Sequence, residues 1–210
     1  MIRILIADDH AMVRQGLRQI LSAQADFQVV AEAANHAEVM QQIRREPCDV
    51  LVLDIAMPGK NGIDTLKQVR LELPKLPVLV LSMYPEDQYA VRALKAGAWG
   101  YLTKMAAADE LVDAIRQVVR GRKYITAELG QSLADSIHRD TDAPAHSLLS
   151  DREFQTLRLI ASGKTLTQIG QVLALSPKTV SVYRARLLEK LGMQSNAELT
   201  RYALENNLVE

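Results

Sequence analysis

The sequence predicts an α/β fold, a doubly wound five-stranded parallel sheet, followed by a small all-α domain. Short apolar runs alternate with amphipathic helical patterns five times between residues 1 and 120, which is typical of a parallel sheet with helices on both faces. Residues 149–210 show helical periodicity and no strand pattern. A chain of 210 residues is long enough for two domains of this kind.

The five predicted strands are short runs rich in Ile, Leu and Val, as expected for strands that are buried on both faces. They lie at residues 2–7, 27–33, 49–53, 77–81 and 99–102. Right-handed crossovers would connect them in parallel. Their carboxyl ends would then lie at one edge of the sheet, where such folds place their binding sites.

The segments that follow these strands carry apolar residues at helical spacing. Four of the stripes are Met12, Val13, Leu17, Ile20 and Leu21; Val39, Met40 and Ile43; Ile63, Leu66, Val69 and Leu73; and Leu111, Ile115, Val118 and Val119. The fourth helix, around Tyr89 to Leu94, has the shortest stripe. Gly121, Arg122 and Lys123 would end the fifth helix, because glycine and basic residues favour helix C-termini.

The pattern divides the chain into three regions, at 1–122, 123–147 and 148–210. The middle region is interpreted as a linker. It contains a helical stretch at about 127–137 and a polar, non-periodic stretch at 138–146.

Helix-start signals place four helices in the last region. Residues 150–153 read S-D-R-E, a capping box, and Ser176-Pro177 combines a serine N-cap with proline at the first helical position. Ser195 or Asn196 would cap the last helix. The predicted helices span 151–162, 165–172, 176–190 and about 196–206.

Composition excludes several classes of protein. Basic and acidic side chains both number 25, so the overall charge indicates no partner. The single cysteine, Cys48, excludes a disulfide framework and a cysteine-rich zinc site, and is interpreted as a small, buried or half-buried apolar residue rather than a redox sensor. No apolar run approaches the roughly 18 residues of a membrane span, and the N-terminus leads directly into a strand. We therefore expect a cytoplasmic protein without a membrane partner.

Four predicted strand ends carry polar side chains that suit one chemistry. Asp8 and Asp9 follow the first strand, Asp54 ends the third, Ser82 follows the fourth and Lys104 follows the fifth. Phosphoryl transfer to a carboxylate needs a nucleophile, a divalent cation and positive charge near the phosphoryl oxygens. The sequence therefore predicts Asp54 as an acceptor of a phosphoryl group.

The remaining polar groups are assigned around this acceptor. Asp8, Asp9 and Asp54 would repel one another without a cation, which indicates Mg²⁺ held by the three carboxylates, with the backbone carbonyl of Ala56 as a further ligand. Lys104 would pair with a phosphoryl oxygen, and Ser82 would donate a hydrogen bond to the same group. Taken singly, each residue has a plainer interpretation, such as an N-cap for Asp8-Asp9. The coincidence at four strand ends favours the site.

Four motifs carry a resemblance. They are I-L-I-A-D-D-H at 4–10, D-I-A-M-P-G at 54–59, L-S at 81–82 and G-Y-L-T-K at 100–104. These motifs resemble the receiver domain of bacterial two-component response regulators, which has a flavodoxin-like fold. The resemblance implies that a sensor histidine kinase phosphorylates Asp54.

The resemblance also implies a conformational switch. Ser82 would turn toward the phosphate, and Tyr101 would change between an outward and an inward rotamer. A half-buried strand aromatic is the alternative for Tyr101. Receivers often have proline after the lysine, where this chain has Met105. A cis peptide costs about 2.5–4 kcal/mol without proline, so the geometry of the Lys104–Met105 peptide is left open by the sequence.

The third helix of the last region has the composition of a DNA-recognition helix. It reads S-P-K-T-V-S-V-Y-R-A-R-L-L-E-K from residue 176, and short turns join it to its neighbours, which indicates helix-turn-helix. Val180, Leu187, Leu188 and Leu191 are predicted to face the core. The outer positions would offer basic groups to phosphates and polar groups to base edges. A solvated helix that packs on its own bundle is the alternative, since a few basic residues are common on a surface helix.

Five further motifs carry a second resemblance. They are L-S-D-R-E at 149–153, I-A-S-G-K-T at 160–165, I-G at 169–170, L-S-P-K-T-V at 175–180 and L-L-E-K-L-G at 187–192. These motifs are similar to the LuxR/FixJ-type helix-turn-helix. With the receiver, nearly the whole chain resembles the NarL/FixJ class of response regulators.

This second resemblance implies which residues contact partners. The DNA contacts would be Lys178, Thr179, Ser181, Tyr183 and Arg184. Tyr183 stands where the family often has histidine, so a phosphate contact and no contact are both open. Dimerisation would use the last helix through Leu199, Tyr202 and Ala203, although packing within the domain explains these residues about as well.

The combined prediction is a phosphorylation-gated, DNA-binding transcriptional regulator that works with Mg²⁺. Its partners would be a sensor histidine kinase, double-stranded promoter DNA and a second copy of the chain, with RNA polymerase as a further candidate. It would be no enzyme beyond its own phosphoryl transfer and dephosphorylation.

Two alternatives come from other classes of protein. A phosphohydrolase of the haloacid-dehalogenase type needs D-x-D-x-T after its first strand, which the run from Asp8 to Met12 does not match. A transcription factor that ignores phosphorylation and uses the receiver as a protein-interaction module stays open.

Overall fold

A computed structural model describes residues 1–57, 62–83, 86–106, 108–127, 129–131 and 144–209, without the side chains of residues 86–88. The chain divides into two compact units, Met1–Asp135 and Ser136–Glu210. Pro58 and Gly59, most of the helix predicted at 127–137 and most of the stretch at 138–146 lie outside the described residues. Within the described ranges, no helix is both long enough and apolar enough to span a membrane.

The first unit contains a five-stranded, all-parallel sheet, which confirms the predicted fold class. Its strands are β1 (Ile2–Ala7), β2 (Phe27–Ala33), β3 (Val50–Asp54), β4 (Val78–Ser82) and β5 (Gly100–Thr103). The spatial order is β2-β1-β3-β4-β5, so the order reverses between β1 and β3. Ligands of such sheets bind at the carboxyl ends of the strands, at this point of reversal.

Five helices pack against the sheet. They are α1 (Ala11–Ser22), α2 (His36–Arg45), α3 (Gly62–Glu72), α4 (Glu86–Lys95) and α5 (Ala108–Val119). All residues of β3 and β4 are buried, as the apolar runs predicted. The half-buried Cys48 precedes β3, and burial raises the pKa of its thiol to about 11, which agrees with an apolar rather than a redox role.

Two members of the predicted apolar stripes were assigned wrongly. Met12 is 86% exposed and Leu73 is 38% exposed. Val13, Leu17 and Leu21 repeat every four residues and share one face of α1, which Met12 does not share. Leu73 directly follows the last residue of α3 and belongs to a run of exposed residues at 71–75.

The second unit is all-α, as predicted. A 3₁₀ turn (Ala145–Leu148) precedes α6 (Asp151–Ala161), α7 (Leu166–Leu173), α8 (Pro177–Leu191) and α9 (Asn196–Glu205). The capping box of α6 is present, and Ser176 and Ser195 cap α8 and α9. A second capping box, between Thr165 and Gln168 at α7, was missed by the sequence reasoning.

The turn between α7 and α8 depends on a close approach of backbone to backbone. A Cβ atom at Gly170 would lie 2.6 Å from the carbonyl oxygen of Leu175. The Leu175 N–H donates to the Gly170 carbonyl at 2.8 Å, and Ala174 adopts the left-handed conformation between them. The tight turn fixes the start of α8 against α7.

Candidate functional site

The sheet places the predicted acceptor and its neighbours at one edge. Asp54 is the last residue of β3, and Asp8 directly follows β1, whose Ala7 pairs with Leu53. Both carboxylates are 1% exposed. A Cβ atom at Gly62 would lie 2.2 Å from the Cα atom of Ile55, so glycine allows the start of α3 to approach the end of β3.

Lys104 joins the two buried carboxylates. Its ammonium nitrogen lies 2.7 Å from Asp54 Oδ2 and 2.5 Å from Asp8 Oδ2, and its side chain is 6% exposed. The Lys104 N–H donates to the Ser82 carbonyl at 2.7 Å, which fixes the end of β5 against β4. The Lys104–Met105 peptide is trans, so the lysine reaches the acceptor without a cis bond.

Burial and pairing compete at these charges. Desolvation raises the pKa of Asp54 above its ordinary value, although hydrogen bonds from Lys104 and from the Ala56 N–H work against the rise. Desolvation works to lower the pKa of Lys104, but its hydrogen bonds to Asp54 and Asp8 outweigh this and raise it. The edge therefore holds a carboxylate beside a fixed cation.

The acidic cluster fits a hard divalent cation. One ligand atom from each of Asp8, Asp9, His10 and Asp54 lies within 4.8 Å of the others. Asp9 Oδ1 lies 2.9 Å from His10 Nδ1, and the Asp9 side chain is 26% exposed. Mg²⁺ prefers carboxylate oxygens of this kind, so Asp8, Asp9 and Asp54 could hold it. The role of the Ala56 carbonyl as a further ligand stays a prediction.

Ser82 and Tyr101 are both fully buried. Ser82 is the last residue of β4, next to the strand that ends in Asp54, and pairs in register with Thr103. Tyr101 pairs in register with Val80 on β5. The ring of Tyr101 is thus inward in this conformation, whereas the sequence left a half-buried position open.

The exposed side of α8 carries most of the predicted DNA contacts. Lys178 and Ser181 are exposed, and Tyr183 and Arg184 are half-buried. Arg184 donates to Asn196 Oδ1 at 2.5 Å, a contact with α9 that the sequence pattern did not indicate. Thr179 is engaged in the N-cap, because its N–H and hydroxyl both contact the Ser176 hydroxyl.

The same side of α8 forms a shallow cavity of about 370 Å³. Its lining residues are Ser176, Lys178, Thr179, Val182, Tyr183 and Arg186. Arg186 was missing from the predicted DNA contacts. It follows Lys178 by eight residues and Val182 by four, which places all three on the same face of the helix. The helix therefore presents two exposed basic groups beside polar ones.

Packing within the second unit accounts for the residues predicted to dimerise. Leu199 and Ala203 are fully buried. The Tyr202 hydroxyl accepts a hydrogen bond from the His146 N–H at 3.1 Å and lies 2.9 Å from His146 Nδ1. Packing within the domain was the alternative to dimerisation that the sequence left open for these three residues. A dimer surface on α9 stays a prediction.

Two protein families match the two units. Residues 4–116 match the response regulator receiver domain, and residues 147–203 match the bacterial regulatory proteins of the luxR family. Similar full-length proteins include the oxygen regulatory protein NreC of Staphylococcus carnosus, at 36% identity over 99% of both chains. Response regulator GacA of Pseudomonas aeruginosa is 37% identical, over 100% of this chain and 99% of its own.

Solved structures show the same architecture. RcsB from Salmonella enterica serovar Typhimurium, bound to promoter rprA in the presence of the phosphomimetic BeF₃⁻, has a TM-score of 0.66 at 26% identity, over 96% of this chain and 97% of its own. Response regulator ChrA of a heme-sensing two-component system has a TM-score of 0.54 at 32% identity, over 99% of this chain and 98% of its own.

Proposed function

Because the chain belongs to the NarL/FixJ family of response regulators, with a receiver and a LuxR-type DNA-binding domain, we propose that phosphorylation of Asp54 controls its binding to promoter DNA. The observation that carries the proposal is the buried group of Asp54, Asp8 and Lys104 at the point where the strand order reverses. Burying two carboxylates costs stability, and buried charges of this kind cluster at functional sites.

The donor would be a phosphohistidine of a sensor histidine kinase. A carboxylate oxygen of Asp54 attacks phosphorus, the P–N bond of the donor breaks, and the released imidazole nitrogen takes up a proton. Mg²⁺ held by Asp8, Asp9 and Asp54 would supply positive charge to the transferring group. The chain would be no enzyme toward other substrates, since it only transfers the phosphoryl group to itself and hydrolyses the product.

Lys104 supports this proposal because its ammonium already lies 2.7 Å from the acceptor carboxylate. An ammonium held beside the nucleophile without solvent reorganisation stabilises the charge that develops on the phosphoryl oxygens. After transfer, Lys104 pairs with a phosphoryl oxygen as a point charge. The hydrogen bond from the Lys104 N–H to the Ser82 carbonyl ties the backbone of Lys104 to the end of β4.

Ser82 and Tyr101 would form the switch. A phosphoryl group on Asp54 brings acceptor oxygens next to the end of β4, and the Ser82 hydroxyl turns to donate to one of them. The space that Ser82 leaves favours the inward ring of Tyr101. The phosphate thereby shifts an existing equilibrium between two states rather than creating a new one.

The output would be a homodimer on promoter DNA. Lys178, Ser181 and Arg184, with Thr179 and Tyr183, would contact the major groove and its phosphates from α8. A dimer reads two half-sites and so gains affinity and specificity together. Promoter binding would place the protein in the bacterial cytoplasm, where contact with RNA polymerase is a further step of the proposal.

The direct test is intact-mass spectrometry after incubation with acetyl phosphate and Mg²⁺. We expect one phosphoryl adduct on the wild-type protein and none on Asp54→Asn. The matched control is Asp113→Asn, which neutralises an exposed aspartate of α5 and should be phosphorylated like the wild type. An adduct that persists in Asp54→Asn would overturn the assignment of the acceptor.

A further inference from the structure

A cavity of about 860 Å³ lies at the edge of the sheet opposite the acidic cluster. Asp49, Pro77 and Trp99 line it, and they directly precede β3, β4 and β5. Asp54 and Ser82 end β3 and β4, which are five residues long. At about 3.3 Å per residue, the length of a strand separates the cavity from the acceptor. The cavity is therefore a second site, which the proposed function does not use.

The lining of the cavity is largely apolar. Its apolar members include Ile43, Leu73, Leu76, Trp99, Val118 and Val119. Trp99 and Val119 are half-buried and pack against the core of the first unit, and Leu73 is 38% exposed. Small-molecule sites in proteins are typically cavities of about 300–1,000 Å³ that are lined mainly by apolar and aromatic side chains. Both the volume and the lining therefore match a small-molecule site.

The walls of the cavity are held by the backbone. Pro47, Pro74 and Pro77 lie in the connections that lead into β3 and β4, and the proline ring restricts φ to about −65°. The Trp99 N–H donates to the Val78 carbonyl at 2.8 Å, which ties the connection before β5 to β4. Little backbone has to be ordered when a ligand enters, and such preorganisation favours binding.

The charged groups around the cavity balance one another. Its lining contains two cations, Arg44 and Lys75, and two carboxylates, Asp49 and Glu72. Arg44 donates two hydrogen bonds to Glu72, at 2.8 and 2.6 Å, and Asp49 Oδ2 accepts the Arg3 N–H at 2.7 Å. Lys75 is exposed, so its ammonium can stay in water. The lining therefore has no excess of either charge, which favours an uncharged ligand.

The two remaining reactive or aromatic groups agree with this character. Burial and the neighbouring Asp49 carboxylate raise the pKa of the Cys48 thiol to about 11, so the thiol is neutral at pH 7. Trp99 contributes an indole ring to the lining. Aromatic molecules pack favourably against such a ring in offset-stacked or edge-to-face arrangements.

We propose that this cavity binds a small, uncharged, planar aromatic molecule that packs against Trp99 and covers Leu73. Entry of the ligand removes apolar surface from water, and the gain is proportional to the area buried. An ionised ligand would lose its hydration there, because the lining offers it no excess of opposite charge. The inference does not depend on the phosphorylation of Asp54, so either proposal can fail without the other.

The test is a titration of the full-length protein with N-phenylnaphthylamine, an uncharged aromatic fluorescent probe. Trp99 is the only tryptophan of the chain, so energy transfer from tryptophan to the probe reports binding near this residue. We expect saturable binding of one probe per chain. The sulfonated analogue, anilinonaphthalene sulfonate, should bind at least about tenfold more weakly, because its charge is costly in an apolar site.

Two matched variants locate the bound probe. Leu73→Glu adds a carboxylate to the lining, whereas Leu71→Glu makes the same change at a side chain that is 82% exposed and does not line the cavity. We expect Leu73→Glu to weaken binding of the uncharged probe at least about tenfold, the loss expected when one leucine side chain is no longer covered. Leu71→Glu should bind the probe like the wild type. Circular dichroism checks that both variants fold.

Protection of Cys48 tests the same site in the unmodified chain. Cys48 is the only cysteine and lines the cavity, so bound probe should slow its alkylation by iodoacetamide in proportion to the fraction bound. Absence of saturable energy transfer, equal effects of the two leucine variants, or an unchanged alkylation rate at saturation would overturn the site. Equal or tighter binding of the sulfonated analogue would overturn the assignment of an uncharged ligand.

Discussion

At the scale of single residues, burial decides what the charges at the sheet edge can do. Asp8 and Asp54 are each 1% exposed, and the only ammonium between them is that of Lys104 among the described residues. A buried ion pair contributes little net stability, because desolvation costs about as much as pairing gains. The arrangement is better explained by reactivity, which a hydrophobic replacement could not supply.

The raised pKa of Asp54 predicts how its replacement changes stability. At pH values just above 3.8, the ordinary pKa, folded Asp54 still holds the proton that unfolded Asp54 has released. The free energy of unfolding of the wild-type protein therefore falls as pH rises through this range. Asp54→Asn has no carboxyl group at this position, so its free energy of unfolding does not fall for this reason. Without Mg²⁺ at pH 7, we expect the variant to be more stable by about 1 kcal/mol, because it avoids the net cost of a charged Asp54 while Asp8 keeps Lys104 paired.

Urea unfolding of both proteins at pH 7 and near pH 4 measures this difference. The difference in free energy of unfolding between the two proteins should shrink at the lower pH, where the carboxyl of Asp54 in the folded wild type takes up a proton. A variant that is less stable at pH 7, or a gap that grows toward pH 4, would show that Lys104 outweighs the desolvation of Asp54.

At the scale of elements, strand ends and helix caps carried most of the predictive signal. The polar residues at the ends of β1, β3, β4 and β5 were identifiable because apolar runs predict buried strands and parallel strands share one edge. The orientation of His10 was not identifiable, because it depends on a turn in which the His10 N–H donates to Asp8 Oδ1. The contact between Arg184 and Asn196 likewise depends on how α8 packs on α9.

The turn between α7 and α8 gives a test at this scale. Gly170→Ala would place a Cβ atom 2.6 Å from the Leu175 carbonyl. Such overpacking typically costs about 1–3 kcal/mol, so we expect the second unit to unfold at lower urea concentration. The contrast is Gly16→Ala in α1, where a Cβ atom meets nothing within 4 Å.

Gly16→Ala should stabilise the first unit, because alanine favours a helix over glycine by about 0.5–1 kcal/mol. Equal effects of the two substitutions would mean that the close approach at Gly170 does not constrain the turn. Circular dichroism during urea titration measures the change in stability caused by each of the two substitutions.

The exposed face of α8 predicts how DNA binding responds to salt. A duplex selected from a random pool by the phosphorylated protein serves as the probe. Lys178→Ala should weaken binding and reduce the slope of log affinity against log salt by about 1, because one phosphate contact is lost. Fluorescence anisotropy at several salt concentrations measures the slope.

Lys75→Ala is the matched control, because it removes one exposed lysine from the first unit. It changes the net charge equally and should leave the slope unchanged. A similar reduction in both variants would assign the effect to overall charge rather than to a contact from α8.

At the scale of the whole molecule, the two units have separate cores. Ile4, Val52 and Leu79 are buried in the first, and Phe154, Leu157 and Val180 in the second. In the proposed mechanism, a phosphoryl group in the first unit acts on the second by changing the population of states or of dimers. The sequence identified both units by their different periodicities, but periodicity carries no information on how they are coupled.

The central claim, that phosphate on Asp54 controls DNA binding, is tested by the affinity for the selected duplex before and after treatment with acetyl phosphate and Mg²⁺. Coupling of about 1–3 kcal/mol predicts that phosphorylation tightens wild-type binding by about 5–150-fold. Asp54→Asn should show no change, and Asp113→Asn should respond like the wild type. Equal affinity of the wild-type protein with and without phosphate, or an unchanged response in Asp54→Asn, would contradict the account and favour a regulator that ignores phosphorylation.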